Sequence, residues 1–533
     1  MPKISENRIV WDEEDFLTGL QIQNTTGGVL TIGGKGAATS RQANPYRRLG
    51  AIAPGYLPAD VTNVAAVSSL IVAGDADFSG STPYAYLGGS DLVHQLNLST
   101  DTLSNTSPWP HTIAHHATPT VSDIVTYIII NGVTSVASTM ALYSFYDGTD
   151  GDVGAYDISS GGLNVFYDSF LSTYPTGAIT LTTDPHPMVV GDDGSIYIGN
   201  GVSLLKLNPD GGGNGELTTP FSFPRGTVIR SFAKTPGYLI IFATRSNGIS
   251  STFYRGTATA YFWNYVSQKH NFAYDLSDNH VSAGFTWNGV PGCFTYGRAA
   301  GGGVLSTKLK LFNGSYFEQV LDYGSNPPGH GGVEIHDAMI VWNFSTTSSQ
   351  NWIASYGSPW KGKLPNAFNY IAEGKGTTTG GLCKNFVGSK LYVSTGTTTS
   401  GGLQTIGSNY APSTSEGSFW EGIVATPGFG KHMIGKITAI KVHFRGSATA
   451  GRNLELQLNF NYGAVTTAIV FTALGTISST STIKEYNKDS SNVEFPFFHA
   501  IAPRFTWTTG TDSSDAPAVV KLEVFFEPVQ FNQ

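Results

Sequence analysis

Three histidines, His111, His115 and His116, form an H-x-x-x-H-H cluster. On a helix, histidines four apart share a face and can hold one zinc ion. Pro108, Pro110 and Pro119 crowd this segment and oppose a helix. No glutamate stands between the histidines, so the zinc-protease pattern is absent. The segment reads as an exposed loop or as histidines set against a core. Asp147-Gly148-Thr149-Asp150-Gly151-Asp152 gathers carboxylates on a glycine-rich stretch. Calcium favours such groups, but the EF-hand spacing and its closing glutamate are missing. Turn formation already explains those residues, and likewise Asp192, Asp193 and Asp210 beside their glycines. Glu334, His336 and Asp337 lie just before an apolar run at 338–342. Two carboxylates at a set separation hydrolyse glycosides, but linear spacing cannot supply that separation. The Asp box of sialidases does not occur.

Other catalytic patterns are missing too. There is no G-x-S-x-G elbow, no P-loop and no dinucleotide fingerprint after a strand. The run Ala299-Ala300-Gly301-Gly302-Gly303 has no following Lys-Ser/Thr and reads as a loop. Cys293 and Cys383 lack a metal-ligand spacing and read as small buried apolar residues. Aromatic clusters at 143–146, 261–265 and 419–420 suit either a core or a loop that binds sugar faces. The sequence assigns no catalytic, cofactor-binding or metal-binding residue.

The elements that must carry these residues follow from composition. The chain has 533 residues, of which 13% are charged and 12% aromatic, with 64 glycines. Few charges and many Gly, Ser, Thr, Asn and aromatic residues disfavour long solvated helices and favour strands joined by tight turns. A net charge of −8 argues against a broad nucleic-acid-binding face. Two cysteines exclude a disulfide scaffold. The N-terminal residues MPKISENRIVWDEEDF contain no apolar stretch of the secretory kind, and the longest apolar runs, such as 124–130, are too short to span a bilayer. The expectation is therefore synthesis in the cytoplasm without a membrane anchor. The Asn-x-Ser/Thr triplets at Asn24, Asn97, Asn105, Asn313 and Asn343 read as products of composition.

Three regions are expected. Residues 1–60 read as an extended N-terminal arm, with Pro45, Pro54 and Pro58 keeping it open. Tyr46, Arg47, Arg48 and Tyr56 suit docking, either on a neighbouring subunit or as a strap on the chain's own domain. Residues 61–412 repeat a theme of short apolar strands separated by Gly, Asn and Asp turns. The clearest unit is Met188-Val189-Val190, a Gly-Asp-Asp-Gly turn at 191–194, Ser195 to Gly199, and Val202 to Leu207. Similar hairpins recur at 85–98, 308–317 and 382–393. The pitch gives roughly six to eight units of about 45 to 55 residues, the signature of a degenerate β-propeller; an irregular β-sandwich is the competing fold. Residues 413–533 form a C-terminal, jelly-roll-like β-sandwich. There Ile440, Val442 and Phe444, Leu454, Leu456 and Leu458, and Leu522, Val524 and Phe526 alternate with polar neighbours. The expected class is all-β.

In outline the chain resembles virion structural proteins of tailed bacteriophages, especially the propeller-bearing nozzle or hub of short-tailed phages. The resemblance rests on Asn44-Pro45-Tyr46-Arg47-Arg48-Leu49-Gly50 followed by Pro54-Gly55-Tyr56, on the charge-poor β-repeat region, and on a terminal sandwich opened by Phe419-Trp420-Glu421 and Thr426-Pro427-Gly428-Phe429. It implies a non-enzymatic tail subunit without cofactor, in a homo-oligomeric ring of six copies. Its partners would be other tail or portal-adaptor proteins, and genomic DNA would pass without specific binding. The alternatives are a receptor-binding spike that docks host surface glycans and a polysaccharide-degrading propeller enzyme.

Overall fold

The computed structural model describes residues 9–13, 37–41, 43–48, 51–54, most of 58–407, and strands between 418 and 530. Within 58–407 it leaves out 116, 132–135, 159–165, 174–179, 209–215, 247–255, 299–303, 324–326, 346–350, 359–365, 375–380 and 397–400. His116, Asp210, Gly301–Gly303, Tyr56 and the stretches at 411–417 and 426–429 thus lie outside the described residues.

The repeat region folds into seven antiparallel sheets. Blade 1 contains Ala73–Asp77, Tyr84–Gly89 and Leu92–Asn97, flanked by the short strands Thr102–Leu103 and His111–Thr112. Blade 2 contains Thr120–Asn131, Val136–Tyr146, Gly151–Asp157 and Phe166–Tyr167. Blade 3 contains Met188–Val190, Ile196–Asn200, Ser203–Asn208 and Glu216–Ser222. Blade 4 contains Thr227–Thr235, Tyr238–Ser246, Gly256–Trp263 and Phe272–Asp275. Blade 5 contains His280–Trp287, Val290–Arg298, Val304–Phe312 and Phe317–Asp322. Blade 6 contains Val333–His336, Met339–Ser345, Asn351–Gly357 and Ala367–Gly374. Blade 7 contains Cys383–Lys384, Leu391–Gly396 and Gly401–Ile406, and its fourth strand is Ala59–Asp60. The ring is therefore closed by a strand from the far end of the chain, with Thr405 opposite Ala59 and Gln404 opposite Asp60.

Two of the hairpin turns in these sheets are ones the sequence marks. Gly194, in the first turn of blade 3, has φ +78°, and Gly314, in the third turn of blade 5, has φ +98°. Both conformations strain a residue with a Cβ.

A four-stranded sheet has two apolar faces and cannot bury both alone. The core here is accordingly divided among the blade interfaces. Met140, Leu142, Met188, Ile196 and Leu205 pack together between blades 2 and 3. Tyr197, Leu204, Ile229 and Trp263 pack between blades 3 and 4. Ile240, Phe242, Cys293 and Phe317 fill the next interface. Phe285, Phe294, Ile340, Trp342 and Trp352 fill the interface between blades 5 and 6. Val341, Ile353, Cys383 and Val393 join blade 6 to blade 7. Ile71, Leu87, Leu382 and Leu403 join blade 7 to blade 1. Tyr86, Trp109, Val121 and Tyr143 complete the circle between blades 1 and 2. Fully burying an aliphatic or aromatic side chain contributes roughly 1.5–3 kcal/mol, so these interfaces hold the ring together.

The remaining strands form a sandwich of two antiparallel sheets. One is built on Met433–Arg445 paired along its length with Ala518–Gln530. Ile440, Val442, Phe444, Leu522, Val524 and Phe526 are buried there, as their period-two spacing requires. The other sheet has Ser418–Gly422, Ala502–Thr508, Asn453–Asn459 and Thr472–Ile477, with Leu454, Leu456, Phe505 and Trp507 buried.

Of the two readings of residues 1–60, the described strands take the one on the chain's own domain, by strand pairing in place of an extended strap. Ile9–Glu13 pairs with 522–526, Ala37–Arg41 pairs with 419–422, and Ile52 pairs with Val519. Ala43–Arg48 and Ala51–Pro54 form a hairpin that joins the first sheet. The segment read as an arm thus supplies strands to both sheets of the sandwich, and the propeller is an insertion within it. The reason is backbone chemistry. Without residues 9–13, the edge of Ala518–Gln530 would present unpaired N–H and C=O groups.

Candidate functional site

The sequence-selected histidines diverge. His111 Nε2 lies 2.8 Å from Asp168 Oδ1, whereas His115 Nε2 lies 3.3 Å from Asp152 Oδ2. Asp168 also accepts hydrogen bonds from Tyr143 Oη at 2.6 Å and from the Ala114 N–H at 2.9 Å. Burial opposes ionisation of Asp168, but these donors outweigh it and hold its pKa below the usual carboxylate value. The His111 ring stacks on Phe166 with centroids 3.6 Å apart. This cluster pins the segment after Pro110 onto blade 2. Among the described residues, no group of three His, Cys, Asp or Glu side chains is placed to hold a metal ion.

The acidic turns are locked in the same way. Asp147 Oδ1 accepts the N–H groups of Thr149 and Asp150 within its own turn. Asp193 accepts hydrogen bonds from Tyr197 Oη at 2.7 Å and Lys206 Nζ at 2.9 Å. Burial raises and these partners lower its pKa, with lowering the net result. Asp192 lies 3.8 Å from Lys234. Glu334 and His336 sit on the first strand of blade 6 with different partners, and His336 Nε2 lies 3.5 Å from Asp337 Oδ2. Glu334 Oε2 is 3.8 Å from Lys384 Nζ, and His336 Nδ1 is 3.1 Å from Asn385 Nδ2. Burial pushes the His336 pKa down despite Asp337 and Glu334 nearby. Cys293 and Cys383 are fully buried, and burial raises both thiols. Of the aromatic clusters, Tyr143, Phe145, Phe262 and Trp263 are core residues.

The polar constellation that the structure assembles lies instead around the propeller axis, on the innermost strands. Asp75, in blade 1, accepts the Thr126 N–H of blade 2 at 2.7 Å through Oδ2 and its neighbour Ala76 N–H at 2.9 Å through Oδ1. Asp123, in blade 2, repeats the device. Its Oδ2 accepts the Met188 N–H of blade 3 at 2.7 Å and its Oδ1 the Ile124 N–H at 2.8 Å. Ser231 Oγ, in blade 4, accepts the Gly284 N–H of blade 5 at 2.7 Å. Burial raises the Asp75 pKa in spite of its donors. Burial opposes charge on Lys384 as well, but Glu334, Asp123 and Asp75 more than offset it and raise its pKa.

A short segment closes this axis. His330–Gly332 forms a 3-10 turn in the connection between blades 5 and 6. His330 Nε2 reaches Asp123 of blade 2 at 2.9 Å, and Nδ1 reaches Ser231 of blade 4 at 2.7 Å. A Cβ on Gly331 would lie 2.2 Å from the Val72 carbonyl oxygen beside blade 1, so only glycine fits there. Three consecutive residues thus touch elements on opposite sides of the ring.

None of Asp75, Asp123, Ser231, His330 or Lys384 is singled out by the sequence motifs. A signal exists for Asp123 alone: a carboxylate inside the apolar run Val121-Ser122-Asp123-Ile124-Val125 must find donors when that strand is buried.

No family model matches the sequence. No curated protein matches it either. Among solved structures, Raptor from Chaetomium thermophilum is similar with a TM-score of 0.41 and 9% identity, over 67% of this chain and 30% of that one. The Dos1 propeller gives 0.40 and 11%, over 66% of this chain and 94% of that one. The propeller domain of Cps50 (Swd1) from Myceliophteria thermophila gives 0.42 and 8%, over 66% and 99%. The chain spans under a third of Raptor. The propeller assignment rests on the order and closure of the seven sheets.

Proposed function

We propose that this chain is a non-enzymatic structural subunit of a tailed-phage virion, of the nozzle or hub kind, assembled as a ring around the DNA exit path. The observation that carries the reading is where the ionisable groups go. Asp75, Asp123, Asp168 and Asp193 are engaged by hydrogen bonds that fasten blade to blade, loop to blade or turn to strand. Such a body is stiff and presents surfaces for assembly. Insertion of the propeller into the sandwich adds to this, because two linkers join the modules where consecutive domains would have one.

The blocked axis bears on the path of DNA. With His330–Gly332 across it, DNA would run through the lumen between copies, outside each propeller's own channel. A subunit of net charge −8 suits a wall that does not grip phosphate. The deciding experiment is electron microscopy of the purified full-length protein, with mass spectrometry of purified virions. The expected result is a closed ring and presence in the tail. A protein that remains monomeric and turns over host polysaccharide would refute the reading in favour of the propeller-enzyme alternative.

A further inference from the structure

The large apolar side chains that stand exposed among the described residues are Phe78, Ile128, Val266, Phe272, Tyr316 and Ile483. Isolated cases on a surface are ordinary, but their placement here is not scattered. Strands alternate in direction within each blade, so the first and third turns lie on one face of the ring. The second turns and the connections between blades lie on the other. Phe78 follows the first strand of blade 1, and Ile128 is near the end of the first strand of blade 2. Val266 is in the third turn of blade 4, Phe272 opens its fourth strand, and Tyr316 is in the third turn of blade 5. All five belong to the face of the first and third turns; Ile483 belongs to the sandwich.

The blade 4 turn is built as a rigid knob. Asn264 Oδ1 accepts the N–H groups of Val266 at 3.3 Å and Ser267 at 3.0 Å. Trp263 Nε1 donates to the Ser267 carbonyl at 2.7 Å, and the Asn264 N–H donates to Asn271 Oδ1 at 2.9 Å. Val266 is 85% exposed at the tip. A side chain held in place before contact loses little entropy on docking. Lys269 is exposed in the same turn, and the sequence from Phe262 to Tyr274 contains no acid. The knob is apolar and cationic on a chain of net negative charge. The opposite face over blades 1 and 2 carries half-exposed acids, Asp91 and Asp147 in the second turns of those blades, whereas Asp184, in the connection to blade 3, is matched by Arg230 at 3.9 Å.

We propose that the Val266–Lys269 knob, with Phe272 and Tyr316 beside it, docks on the acidic face over blades 1 and 2 of a second copy of this chain. The contact is heterologous, the kind that closes into a ring when its rotation permits. The proposal deepens the ring reading and rests on it. Charge complementarity makes it salt-sensitive.

The test is sedimentation of the full-length protein at low and high salt. Val266→Asp and Lys269→Glu should each weaken association by about tenfold or more while leaving the melting temperature unchanged. Asp91→Lys, on the acidic face, should do the same. Mixing the Lys269→Glu protein with the Asp91→Lys protein should restore assembly, since every contact then joins opposite charges. Full assembly by folded Val266→Asp and Lys269→Glu proteins would overturn the docking site and leave the ring reading standing. A wild-type protein that sediments as a monomer throughout would overturn both.

Discussion

Two histidines in the propeller are buried where a proton is costly. His94, on the third strand of blade 1, has no solvent exposure, and neither ring nitrogen has a hydrogen-bond partner. His186, in the connection from blade 2 to blade 3, is equally buried, with Nδ1 unpartnered and Nε2 3.5 Å from Thr182 Oγ1. Burial pushes each down to about 4, from 6.5 in an unfolded chain. Between these values the unfolded chain binds protons that the folded chain refuses. The stability these neutral rings permit is therefore fully present above pH 6.5 and is lost as pH falls towards 4. At about 1.4 kcal/mol per pH unit, a gap of about 2.5 units gives about 3 kcal/mol for each histidine and about 7 for the pair. That is about half the stability of an ordinary domain. His336 and His270 are lowered too and act in the same direction. Asp168, Asp193 and Asp278 are also lowered, but their contribution fades only as pH falls below their unfolded value of 3.8. Urea titrations followed by tryptophan fluorescence from neutral pH downward should show the decline. The double variant His94→Leu, His186→Leu should lose about 7 kcal/mol less over the same window. A wild-type profile that is flat across it, or a double variant that declines in parallel with wild type, would refute the reasoning.

Three other outcomes follow from the packing. Deleting residues 1–50 removes strands from both sheets of the sandwich, so limited proteolysis should digest 418–530 while the propeller resists; a sandwich that stays protected would return the segment to an arm. Asp123→Ala strands the Met188 N–H and His330 Nε2, and should cost about 1–3 kcal/mol for each donor in a denaturant titration; a loss under about 0.5 kcal/mol would deny the latch. Gly331→Ala drives a methyl against the Val72 carbonyl and should lower the melting temperature of the propeller, whereas Gly148→Ala, with nothing within 4 Å, should not. Equal melting of the two variants would mean that the segment across the axis yields freely.

Local pattern carried a great deal of this fold. In the Asp193-Gly194 and Asn313-Gly314 turns the left-handed φ demands glycine and the Asp193 and Asn313 side chains accept N–H groups of the turn, and the alternation of Ile440, Val442 and Phe444 puts one face of a strand in a core. What local pattern cannot contain is the identity of a distant partner. Ala59-Asp60 is two residues long, and nothing in them points to residues 404–405. Ile9 to Glu13 begins with the β-prone run Ile-Val-Trp, but nothing in it names its partner, residues 522–526 at the far end of the chain. The site suffered from the same limit. His111 and His115 look like a pair along the chain, yet each turns to a carboxylate that the sequence places elsewhere, Asp168 and Asp152. Conversely, Asp123 and His330 sit far apart in sequence and meet only because the blades close on one axis, as do Asp75 and Thr126 across the first two blades.

That closure links the two modules more tightly than their separate cores suggest. The last blade needs Ala59-Asp60, and the sandwich needs 9–13, 37–41 and 51–54, so both are completed by the first sixty residues. Their partners lie at the opposite end of the chain: Ala59 accepts a hydrogen bond from a residue 346 positions later. Loop closure over such a span has an entropic cost that must be met before the new contacts repay it, which makes these pairings late events. Blades 1 to 6 draw all their strands from consecutive stretches of chain and can form in order as it is made. Apart from the 43–54 hairpin, the N-terminal strands must then wait until their partners beyond residue 400 arrive. The sandwich can therefore be completed only after the whole of the propeller sequence has been made, because its N-terminal strands find their partners at 419–422 and 518–530.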